Sequence, residues 1–97
     1  MITKDQAINI ANEYVLEQNK ITNYVFILLL NQTVEFELGW VFFYQTKEYF
    51  ESGNIMYAAG GNAPIIIDKR TGAIHETGTA YPINKYIIDY FKREEKK

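Results

Sequence analysis

The chain has 97 residues, 47% hydrophobic and 23% charged, enough for one core over residues 1–97 and too apolar for a disordered tail. Its net charge of −2 divides into −4 over residues 1–91 and +2 over residues 92–97, leaving no basic stripe to follow a nucleic-acid backbone. Cysteine is absent, which excludes a disulfide framework, a thiolate metal site and a cysteine nucleophile, and favours a reducing cytoplasm.

Polar residues enter at Thr3-Lys4-Asp5, so the start of the chain does not read as a signal peptide. Thr3 and Gln6 fit a capping box, and Ala7, Ile10, Ala11, Tyr14 and Val15 recur at helical spacing. They predict a helix over about residues 3–18. Tyr24–Leu30 is a continuous apolar run of strand length, far short of the ~20 residues that span a membrane. A second strand is predicted from Val34 to about Gln45. Val34, Phe36, Leu38, Trp40, Phe42 and Tyr44 would share one face, and Gly39 signals a bulge or a close backbone approach. Residues 46–52 read as irregular, followed by turns at Gly53 and Gly60-Gly61-Asn62. Ile65-Ile66-Ile67 and Ala73–Thr77 form a hairpin around Asp68–Gly72, where Gly72 supplies the positive φ. Pro82 opens a final helix with Ile83, Tyr86, Ile87, Tyr90 and Phe91 on one stripe, and Lys92 and Arg93 suit its C-terminus.

The expected class is α+β: a four-stranded antiparallel sheet flanked by an N-terminal and a C-terminal helix, in the order α-β-β-β-β-α, with both helices on one face. Two strands are apolar at both parities, so the other face needs a cover. The folded-back segment 46–63, a second copy in a homodimer and a different protein are the three candidates.

No residue set reads as catalytic. Ser52 lies in a Glu-Ser-Gly turn without a nucleophile elbow, and His75 is a lone histidine on a hairpin strand. Glu35 and Glu37 share a strand side, but their alternation with Phe36 and Leu38 is that of a half-buried strand with one wet face. Gly60-Gly61-Asn62 lacks the ending of a phosphate loop. No enzyme activity, cofactor or metal is expected. The surplus is aromatic: the chain has one Trp, eight Tyr and six Phe, with several gathered between Phe36 and Tyr57. Aromatics fill cores and also anchor recognition surfaces.

Gly39-Trp40-Val41-Phe42-Phe43-Tyr44-Gln45 is followed by Tyr49, Glu51-Ser52-Gly53, Ala59-Gly60 and Gly61-Asn62-Ala63-Pro64-Ile65-Ile66-Ile67-Asp68. With Ala7/Ala11, Thr71-Gly72, Thr77-Gly78-Thr79, Pro82 and Tyr86-Ile87, this succession resembles the immunity protein 35 family, which includes YrhB-like small bacterial proteins. The resemblance implies a cytoplasmic immunity protein of a polymorphic toxin system that binds a cognate toxin and blocks it. The expected contacts are the acidic residues Glu35, Glu37, Glu48, Glu51 and Glu76 against basic toxin surface. Phe43, Tyr49, Phe50 and Tyr57 would act as anchors, with Asn62 from the Gly-Asn segment. Trp40 reads as core. The competing expectation is a chaperone-like protein that holds unfolded chains on an exposed apolar sheet face.

Overall fold

In a computed structural model that describes residues 1–54 and 63–95, helix α1 (Lys4–Ile21) starts at the predicted capping box. Thr3 Oγ1 accepts from the Gln6 N–H at 3.2 Å and Gln6 Oε1 accepts from the Thr3 N–H at 2.9 Å. Ala7, Ala11 and Val15 form its buried stripe. Two alanines there let the helix backbone approach the sheet, where Trp40, Phe42, Ile65 and Ile67 complete one core.

Strands β1 (Phe26–Leu28), β2 (Val34–Phe36), β3 (Gly39–Phe42), β4 (Tyr44–Thr46), β5 (Ile65–Asp68) and β6 (Ile74–Glu76) are all paired antiparallel. They make a two-stranded ladder, β1-β4, and a four-stranded sheet ordered β2-β3-β5-β6. A six-residue helix α2 (Lys47–Ser52) follows β4, and helix α3 (Ile83–Glu95) follows β6. The class is the expected α+β, with helices at both ends of the chain.

The internal layout differs from expectation in three places. Residues 34–45 do not form one strand: Phe36 pairs with Gly39 across a two-residue turn at Glu37-Leu38, so β2 and β3 are a hairpin. The turn reverses the parity of the stripe. Phe36 and Leu38 pack with Val41 and Phe43, whereas Trp40, Phe42 and Tyr44 pack on the α1 side. The chain then passes from the larger sheet at Phe42 to the ladder at Tyr44. Gly39 is a close approach, as one of its two readings had it: a Cβ there would lie 2.0 Å from the Ile67 carbonyl oxygen. The predicted positive φ occurs at Gly72, at 79°.

The second difference is that residues 47–52 are helical rather than irregular. Thr46 is the reason, since its buried hydroxyl caps the segment by accepting from the Tyr49 N–H at 3.2 Å. The third concerns the helices, which lie on opposite faces of the four-stranded sheet. α1 covers Trp40, Phe42, Ile65 and Ile67; α3 covers Val41 and Ile66 with Tyr90, Ile83 and Ile87. A strand apolar at both parities is what a sheet sandwiched between two helices requires. Ile65, Ile66 and Ile67 are all fully buried, each contributing about 1.5–3 kcal/mol of transfer free energy. The face expected to await a cover is closed by α3.

Candidate partner-binding surface

α2 is where the fold exposes aromatic and acidic side chains together. Besides the Thr46 cap, Gly53 adopts the left-handed conformation at φ 69° and donates its N–H to the Tyr49 carbonyl at 2.7 Å. The Ser52 hydroxyl donates to the Glu48 carbonyl at 2.7 Å and accepts from the Asn54 N–H at 3.1 Å. Ser52 therefore closes a helix end. Held this way, α2 buries Tyr49 in part and leaves Phe50 60% exposed between Glu48 and Glu51, which are both on the surface. Lys47 reaches Glu51 at 3.9 Å, an exposed pair of small energetic weight.

The remaining expected contacts fall elsewhere. Glu37 is at the tip of the β2–β3 hairpin, beside a groove of about 330 Å³ lined by Leu38, Arg70, Phe91, Glu94 and Glu95. β3 and β4 extend between that tip and α2, on the order of 20 Å at 3.3 Å per residue. The tip and α2 are thus separate patches. Glu35 Oε1 accepts from the indole Nε1–H of Trp40 at 3.0 Å, and the Lys69 ammonium lies 5.2 Å from the centroid of the same ring. Trp40 is only 4% exposed, as core as expected. Glu76, on the edge strand β6, accepts from the Tyr14 hydroxyl at 2.8 Å and ties β6 to α1. Burial first, and then this carboxylate, push the Tyr14 phenol well above the usual tyrosine range; burial also raises Tyr44 beside it. Phe43 is half-buried against the core under α3. Tyr57 and Asn62 lie outside the described residues.

A buried polar clamp under α3 is the feature that sequence reasoning missed. Asp68, 2% exposed, accepts from the Arg70 N–H at 2.8 Å and from Arg70 Nη2 at 2.6 Å. It also accepts from the Tyr90 hydroxyl at 2.6 Å, while Arg70 reaches on to Glu94. The Arg70 guanidinium, helped by the Tyr90 and backbone donors and opposed by burial, holds the Asp68 carboxyl well below the usual carboxylate range. Its two carboxylates push Arg70 up in turn. Tyr90 is raised to about 12, by burial first and by Asp68 next. One signal was legible: an acid that ends an all-isoleucine buried strand needs a donor nearby.

An apolar groove of about 460 Å³ also runs between α1 and β1, lined by Val15, Leu16, Phe26, Ile27, Leu28 and Leu30. No group of His, Asp or Glu side chains with metal-binding geometry occurs among the described residues. No described helix is long and apolar enough to cross a membrane.

The family model described as immunity protein 35 matches residues 5–89. The uncharacterized protein YrhB of Escherichia coli (strain K12) is 46% identical over 55 residues, which are 57% of this chain and 58% of that protein. The match therefore spans little more than half of either chain. No solved structure matches.

Proposed function

This chain belongs to the immunity protein 35 family, whose general role is to neutralise a toxin, and from that premise we propose that it binds a cognate bacterial toxin domain in the cytoplasm and blocks it by occlusion, without catalysis. The observation that carries the reading is the family match over residues 5–89, nearly the whole chain. The surface chemistry supports it. α2 presents Phe50 with Glu48 and Glu51 on either side, which suits an aromatic anchor ringed by acids against a basic partner. Glu37 at the hairpin tip adds a second acidic contact for a partner that spans both patches.

The test is coexpression with the product of the adjacent gene in a bacterial host. The expected result is survival and co-purification of a complex that withstands gel filtration. Failure to protect against, or bind, any neighbouring toxin would remove the proposal. A chaperone-like role would have to use the groove between α1 and β1, since α3 closes the sheet face assigned to it earlier. That role predicts aggregation suppression on unrelated clients, and specific toxin protection argues against it.

A further inference from the structure

His75 lies on β6, opposite Ile66 of β5, with its ring centroid 5.1 Å from that of Tyr90. Its Nδ1 is 2.9 Å from Nη1 of Arg93 in the last turns of α3. A guanidinium can only donate, so Nδ1 is the acceptor and the neutral ring carries its proton on Nε2. The two side chains line one end of a cleft of about 290 Å³ between α3 and the sheet edge. We propose that the His75–Arg93 contact is a proton-operated latch: neutral His75 fastens the C-terminal end of α3 to β6, and protonation releases Arg93 and opens the cleft.

Protonation removes the acceptor at Nδ1 and sets two cations against each other at hydrogen-bond distance. Around the ring, α3 contributes Tyr90, Arg93 and Glu94, and also Asp89, which shares the cleft and pairs with Lys85 at 3.4 Å. β6 contributes Glu76, whose carboxylate already accepts from Tyr14. β5 presents apolar Ile66 opposite the ring, with the Asp68–Arg70 pair two residues on. Glu94 and Glu76 favour the imidazolium, but burial and then Arg93 outweigh them, so His75 sits below the ordinary histidine range. Asp68 stays ionised where His75 titrates, because its own carboxyl is held so low. The Tyr90–Asp68–Arg70 clamp, with Arg70 still on Glu94, therefore persists while the latch opens, and release is confined to the Arg93 side of α3, which lines the cleft.

The experiment is a pH titration of the free 97-residue chain by NMR, and it requires no toxin. His75 is the sole histidine, so its imidazole resonance is unambiguous. Its midpoint is expected below about 6.5, the ordinary value. The Arg93 Nε–H resonance should move with the same midpoint, and Arg93→Met should shift the midpoint upward. Protection factors of the amides of residues 92–95 should fall as pH drops through the midpoint, by less than about tenfold per pH unit, as one proton allows. His75→Gln should abolish that dependence. A midpoint at or above the ordinary value overturns the latch, as does an Arg93 resonance indifferent to the titration or a pH dependence that survives His75→Gln. The wild-type readings decide the matter if a variant does not fold.

Discussion

The Tyr90 hydroxyl donates a 2.6 Å hydrogen bond to the Asp68 carboxylate, from the one residue of α3 that the fold buries. It fastens the C-terminal helix to the last residue of the central strand β5, 22 positions away in sequence. Tyr90→Phe keeps the ring and removes this bond. We expect a loss of about 1.5–3 kcal/mol, the range for a bond to an ionised acceptor, measured by chemical denaturation at neutral pH.

The same clamp sets the acid limb of stability. Asp68 takes up a proton near pH 3.9 in the unfolded chain but only at lower pH in the fold. Its contribution is therefore complete above that value and is lost as pH falls below it. Asp68→Asn should flatten this limb while lowering stability at pH 7. Parallel acid-unfolding curves for wild type and variant would contradict the assignment.

Glu35 and Glu37 stand two residues apart but should respond differently. Glu35→Ala deprives the buried Trp40 indole of its acceptor, at a cost of about 1–2 kcal/mol, and should change the tryptophan fluorescence. Glu37→Ala at the exposed tip should stay within about 0.5 kcal/mol of wild type. Any toxin affinity lost in Glu37→Ala is then a contact effect, whereas Glu35→Ala must be corrected for stability.

α2 separates stability from binding. Thr46→Ala removes the cap of α2 and should cost about 1–2 kcal/mol. Phe50→Ala, at an exposed site, should leave the thermal midpoint near wild type and weaken toxin binding at least about tenfold, as for an aromatic anchor. Glu48→Lys with Glu51→Lys should chiefly slow association, in a salt-dependent way. Unchanged affinity in both Phe50→Ala and the Glu48→Lys/Glu51→Lys double variant would place the interface elsewhere.

Gly39→Ala tests the hairpin. The added methyl would lie 2.0 Å from the Ile67 carbonyl oxygen, which is backbone and cannot step aside. We expect a loss of about 3 kcal/mol or more, or no folded protein. Gly53→Ala meets nothing within 4 Å but must hold φ at 69°, at about 1–2 kcal/mol. Thermal melts of the two variants should differ plainly.

Both long helices, the β5–β6 hairpin and the α+β class were legible because their signals are local. The Thr3–Gln6 box, the Ala7–Ala11–Val15 stripe and Gly72 each act within a few residues. α2 was missed since Thr46 reads as a cap only once its burial and its Tyr49 partner are known. Of the expected contacts, Glu48, Phe50 and Glu51 are gathered on one exposed helix, and Glu37 is exposed at a distant tip. Glu35 and Glu76 also serve as acceptors for Trp40 and Tyr14. Such second duties arise between elements and leave no trace in spacing.

By itself, then, the sequence determined the two long helices, the extended pair around Asp68–Gly72, and that the central strand is apolar on both sides. Hydrophobic periodicity is a short-range property and can be read without the fold. Tertiary structure alone decided where the alternating segment 34–45 turns back and which face each helix takes. The Glu37-Leu38 turn carries no glycine or proline to announce it. It is fixed from outside, by the Lys69 N–H bonded to the Leu38 carbonyl at 2.8 Å and by Gly39 packed on the Ile67 backbone. The face of α3 is likewise fixed by distant partners, since its apolar stripe would suit either side of the sheet. Only the side carrying Asp68 and His75 offers its tyrosine and arginine their hydrogen bonds.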